Sequence, residues 1–213
     1  MWASDRDLLA IEPGVFRDVL WTGQQLMSGV VNIGAAGIVT LPGPLPVASG
    51  VVAGLVMLLR TRACEVVGST GATTISVSLA RVSAGDAAIP PPVETGVAAS
   101  IVSFRPQIAL VHRQLLGMLG LRAAGSINDG RPSEDDVTNT GELVTLEALG
   151  ALHAVYSAAA ALSGDASPAG QRAAHFAQRY AQERWRASAM IDCDADGLPD
   201  AVRRFNTVRL ARA

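Results

Sequence analysis

Four aspartates near the C-terminus have the spacing of a cation loop. In "IDCDADGLPDAVRRF", beginning at Ile191, Asp192, Asp194 and Asp196 alternate with other residues, Gly197 follows, and Asp200 comes next. An EF-hand loop takes carboxylates at its first, third and fifth positions, glycine at the sixth, and a bidentate glutamate at the twelfth. Here the first six positions fit and Asp200 stands at the ninth. The twelfth is Arg203, a cation where the strongest ligand belongs. Calcium is the ion such a loop would take, held by Asp192, Asp194, Asp196 and Asp200. The same residues also read as a helix-ending acidic turn, with Gly197 supplying a positive φ and Asp200 capping a short segment.

No other set of residues has the spacing of a catalytic centre. His112, His153 and His175 fall on three separate helical stretches, without an HExxH or similar spacing. "VGSTGA" does not fit the GxSxG elbow of a serine hydrolase, and Ser133 in "GRPSEDD" reads as a helix cap followed by acidic first-turn residues. All 17 basic residues are arginine. Without lysine there is neither a P-loop lysine nor a Schiff-base amine. The 2 cysteines, Cys64 and Cys193, form no CxxC and read as reduced thiols. The expectation is a protein that is not an enzyme and that needs no cofactor beyond calcium at the Asp loop.

The elements that must position the loop follow from the periodicity. With 213 residues and a net charge of -2, the chain can build a core but has no overall charge for nucleic acid. Residues 4–21 read as helix, with Ser4 as cap, and "VFRDVLWTGQQLM" as a second helical stretch. From Gly29 to about Val82 the period changes to two. "VVNIGAAGIVTL" reads as a hairpin around Gly-Ala-Ala-Gly, and in "TTISVSLARV" Ile75, Val77 and Leu79 alternate with polar residues. "IPPPVETG" reads as a stiff exit linker. Helices return after Ser103. The strongest covers "TGELVTLEALGALHAVYSAAAAL", and the last starts at Ser167-Pro168 and runs to about Ile191. The apolar run Val47–Leu59 is shorter than the roughly 20 residues of a membrane helix, and the charged N-terminus argues against export, so no membrane association is expected. The fold class expected is α+β: mainly an α-helical bundle (1–28 and 100–190) with an inserted small antiparallel β-barrel or sandwich (29–93). An Asp-rich turn and extended C-terminal arm (191–213) follow.

That arm, "VRRFNTVRLARA", alternates arginines with Val208 and Leu210, the pattern of a docking strand with one apolar face. With "SDRDLLAIEPGVFRDV", "FRPQIALVHRQLLGMLGL" and "QRAAHFAQRYAQERWRASAMIDCDADGLPDAVRRFNTVRLAR", the chain resembles the head–tail connector (adaptor) proteins of tailed bacteriophages. The resemblance covers the helical parts and not the β-rich insert. It implies a structural virion protein, made in the host cytoplasm and placed at the neck between head and tail. It implies a homo-oligomeric ring, dodecameric in expectation, between the portal protein and a tail-side connector or stopper, through which DNA passes without sequence-specific binding. It also implies a portal-docking arm carrying Arg203, Arg204, Phe205, Val208, Arg209 and Leu210.

Overall fold

The computed structural model describes residues 1–44, 53–126 and 130–205. The chain forms two compact units, one of Ser4–Pro106 and one of Met1–Ala3 with Gln107–Ala213.

The first unit is a closed antiparallel barrel. Its strands are β1 (Gln24–Ile33), β2 (Ile38–Thr40), β3 (Val56–Leu59), β4 (Arg62–Gly71), β5 (Thr74–Ser78) and β6 (Glu94–Ser103), in the order β1-β2-β5-β4-β3-β6. Strand β6 closes it by pairing with both β1 and β3. Side chains fill the interior, among them Val31, Val39, Met57, Val66, Ile75, Val77 and Ile101, as a barrel this small requires. Cys64 is one of these buried residues; burial pushes its thiol up to about 11, and it packs as an apolar side chain. Both cysteines are free.

Two short helices, α1 (Asp5–Ile11) and α2 (Val15–Asp18), belong to this unit. Polar contacts fasten α1 to the strands. The Asp5 carboxylate accepts from Ser103 Oγ at 2.6 Å and Phe104 N at 2.7 Å. Burial holds its pKa up at about 6 against those hydrogen bonds. The Arg6 guanidinium meets buried Glu65 at 2.5 Å, and Arg81 pairs with the other oxygen of that carboxylate. Phe16 of α2 packs on Phe104, ring centroids 5.1 Å apart.

These facts correct the expected fold class. The chain is α+β, with a closed six-stranded barrel and five α-helices among the described residues, and it is not mainly a helical bundle. The small barrel was expected; its extent was not. Gln24–Ser28, read as helix, begins β1, because Gln24 to Ser28 pair with Ser100–Ser103 of β6. Residues 94–103, divided between linker and bundle in the expectation, form β6. Long-range pairing has overridden local helix propensity here.

The second unit packs α3 (Arg105–Leu119), α4 (Thr140–Ser163) and α5 (Pro168–Arg186) with a hairpin of β7 (Ser188–Ile191) and β8 (Ala201–Arg204). Ser167 caps α5 by accepting from Gly170 N at 3.1 Å, with Pro168 in the first turn, as the sequence predicts. The helix stops at Arg186, short of Ile191, because residues 188–191 pair with β8. Gly150 lets α4 approach its neighbours. A Cβ there would stand 2.6 Å from Val111 Cγ1 and 3.0 Å from the Tyr180 ring. Tyr156 stacks on Phe176 with centroids 5.6 Å apart. By length and composition α4 could cross a membrane, but 67% of its most apolar window is buried, as in a core helix.

Gly37 sets the β1–β2 turn. Its φ is +72°, and an added Cβ would stand 2.3 Å from the Val77 carbonyl oxygen. We expect Gly37→Ala to cost about 1–2 kcal/mol from the left-handed backbone alone, and more from the displaced carbonyl. Gly43→Ala, where nothing lies within 4 Å, should stay within about 0.5 kcal/mol. Chemical denaturation of both variants is the check.

Candidate functional site

The hairpin that carries the predicted site is fixed at both strands. Asn139, just before α4, accepts from Met190 N at 2.8 Å and donates to the Ser188 carbonyl at 2.9 Å. Thr138 N donates to the Met190 carbonyl, and Asp192 N to that of Asp136. On β8, Arg203 Nη1 donates to the Leu119 carbonyl at 2.7 Å and to the Gly120 carbonyl at 3.2 Å. A cation on the last carbonyls of α3 is favourable for both the hydrogen bonds and the helix dipole.

The loop 192–200 wraps around its own aspartates. Asp192 accepts from Ala195 N at 2.7 Å and Gly197 N at 2.8 Å, Asp196 from Leu198 N at 2.7 Å, and Asp200 from Cys193 N at 2.7 Å. The Gly197 amide, with those of Ala195 and Asp194, holds the Asp192 carboxyl below its ordinary value. Gly197 has the positive φ read from the sequence, +88°, and Ala195 also stands in that region at +63°. Carboxylate oxygens of Asp192, Asp194 and Asp200 lie within 4.8 Å of one another; Asp196 is not in the group. Three of the four expected ligands are thus brought together. The residue at the twelfth position, Arg203, is engaged with α3.

The expected arm residues divide by the two-residue period of β8. Arg203 turns inward to α3, and Phe205 is 5% exposed, in one core with Leu115, Leu119 and Leu146. Arg204 faces solvent, as does Val202. Val208, Arg209 and Leu210 lie outside the described residues. Arg203 and Phe205 therefore hold the strand in place, and of the described arm residues Arg204 is the one free to meet another molecule.

The structure also assembles a charged cluster that the sequence reading left as separate residues. His112 on α3 places Nε2 3.0 Å from Glu134 and Nδ1 3.0 Å from Glu147 of α4. The imidazole is thus held between two carboxylates. The second oxygen of Glu147 accepts from the backbone amides of Trp2 and Ala3, each at 2.7 Å, and the Met1 amine reaches Glu134 at 2.7 Å. Trp2 stands edge-on to His112, centroids 4.8 Å apart. Glu147 is fully buried. A lone acid within the apolar face of the chain's strongest helix was the available signal. Its partners, distant in sequence, were not legible. Ser133 is a cap as read, accepting from Asp135 N at 3.1 Å.

No known protein family, curated protein or solved structure matches this chain.

The cluster gives stability a pH dependence. Burial works to lower the His112 pKa, but Glu147 and Glu134 raise it further, for a net value above 6.5. Burial works to raise the Glu134 pKa, but the Met1 amine and His112 take it below 4.5. The histidine contribution is complete below 6.5 and fades as pH rises through its raised folded value; the glutamate contribution is present above 4.5 and fades on acidification. The stability difference between wild type and His112→Gln should therefore be largest at about pH 5–6 and shrink toward alkaline pH. Urea unfolding across pH is the measurement. A difference independent of pH would mean that His112 contributes by packing alone.

Proposed function

We propose that this chain is a structural subunit of a phage neck, a head–tail adaptor that acts by assembly and not by catalysis. The observation that carries the reading is the anchored strand β8. Arg203 and Phe205 tie it to the helical unit while Arg204 faces out. The sequence that follows Phe205 therefore leaves from a fixed point, as a docking arm needs. Two of the three segments that carry the resemblance, the α3 segment and the one from Gln171 on, fall chiefly in one compact unit. In this reading the subunits form a ring, with the portal protein on one side and a tail-side connector or stopper on the other. DNA passes without being read, which suits a chain of net charge -2. Arg204, with Val208, Arg209 and Leu210, makes the portal contact.

The test is binding to a phage portal protein. Arg204→Glu should weaken binding by about tenfold or more, equivalent to about 1.4 kcal/mol, with an unchanged melting temperature. Phe205→Ala should instead lower stability by about 3–5 kcal/mol. Unchanged portal binding by Arg204→Glu would remove β8 and its continuation from the contact.

A second reading, calcium binding, is favoured by the convergence of Asp192, Asp194 and Asp200. Against it, these carboxylates already accept the loop's own amides, and Arg203 fills the position of the bidentate ligand. If the loop holds calcium, a hundredfold excess over the dissociation constant should stabilise the fold by about 2.7 kcal/mol. Calorimetry on wild type and Asp194→Ala decides it.

A further inference from the structure

Met1–Ala3 sit in the helical unit, and the chain enters the barrel unit at Ser4. The seat of these residues is built from His112 of α3, Glu134 in the turn before α4, and Glu147 of α4. One oxygen of Glu147 accepts from the amides of both Trp2 and Ala3, and the other faces His112 Nδ1 at 3.0 Å. His112 Nε2 stands 3.0 Å from the Glu134 oxygen that also holds the Met1 amine. The Trp2 ring lies edge-on to the imidazole and packs on the core that contains Leu115, Leu119 and Leu146.

The charges at this seat balance only when the imidazole is protonated. The charged groups facing His112 are Glu134, Glu147 and the Met1 amine; α3 itself adds Arg113 beside it, which points to solvent. With an imidazolium, two cations meet two carboxylates. Without that proton, the fully buried Glu147 carboxylate loses the cation that touches it. A buried carboxylate without a cation is costly unless water reaches it. Of the groups around Glu147, Met1–Ala3 belong to no helix or strand, so they can leave without opening one. Their seat carries a cost even when closed: Trp2 Nε1 is buried without a hydrogen-bond partner among the described residues, and departure returns it to water. Beyond Ala3 the chain is fixed in its own unit, where Asp5 accepts from Ser103 Oγ and Phe104 N, so the movement is confined to three residues.

We infer that Met1–Ala3 form a strap controlled by the charge on His112: an imidazolium keeps it seated, and a neutral imidazole lets it leave while the helices stay folded. The sign follows from the surroundings. Burial works to lower the His112 pKa, and Glu147 and Glu134 raise it further, to a net value above 6.5. The strap is therefore fully seated below 6.5 and leaves as pH rises through the folded value. Release uncovers two carboxylates beside the apolar surface that Trp2 covers, so one subunit has two surface states. The inference does not depend on the neck reading.

Trp2 reports on its own seat once the other tryptophans, Trp21 and Trp185, which are 53% and 68% exposed, are replaced by Phe. In that full-length variant, acrylamide quenching of Trp2 fluorescence should be weak at about pH 6 and rise severalfold by about pH 9, with far-UV circular dichroism unchanged. Adding His112→Gln should give strong quenching at every pH. Adding Glu147→Gln, which removes the buried charge and keeps an acceptor for the two amides, should give weak quenching at every pH. Quenching that stays weak to about pH 9, or that rises only as the helical signal is lost, would overturn the inference. So would a pH step that persists in His112→Gln, since release would then belong to another group. The parent and Glu147→Gln decide the question even where His112→Gln does not fold.

Discussion

The last carbonyls of α3 need donors, and Arg203 supplies one from a strand that starts more than eighty residues later. This contact decides how the C-terminal hairpin lies on the helices. With Arg203 on Leu119 and Gly120, the two-residue period of β8 turns Phe205 into the core and Arg204 to solvent. Asn139 fixes the other strand by bonding to both Ser188 and Met190. The Asp-rich loop is then held at the hairpin tip by its own carboxylates.

The barrel unit relies on a different compensation. Its interior is apolar, but the docking of α1 depends on the buried charges Asp5 and Glu65. Such groups are tolerable only when paired, and removing one partner of a buried pair costs about 3–5 kcal/mol. Glu65 has Arg6 and Arg81; Asp5 has the Ser103 hydroxyl and the Phe104 amide. These contacts tie α1 to the strands of its own unit.

Local signals were legible in the sequence and distant partners were not. The alternation of Ile75 and Val77, the Gly-Ala-Ala-Gly hairpin, the Ser167-Pro168 start of α5 and the positive φ at Gly197 each depend on a few neighbouring residues. Gln24–Ser28 reads as helix because glutamine, leucine and methionine favour helix; its strand state comes from β6, far along the chain. In the candidate site, the spacing predicts convergence of four aspartates, and three of them, Asp192, Asp194 and Asp200, come together. The inward turn of Arg203 and Phe205 could not be expected, because it depends on the end of α3. His112 read as isolated for the same reason: Glu134 and Glu147 reach it through the packing of separate elements.

In the proposed reading, the anchored hairpin and the outward Arg204 belong to a subunit whose role lies in contacts with copies of itself and with a larger ring. The most direct measurement is the native mass of the purified chain mixed with the portal protein, with negative-stain images of the same sample. The account predicts a ring-shaped complex whose mass is that of the portal plus a whole number of copies of this chain. A chain that stays monomeric beside an unaltered portal, and is stabilised by calcium alone, would contradict it and leave the aspartates at 192–200 as the functional site.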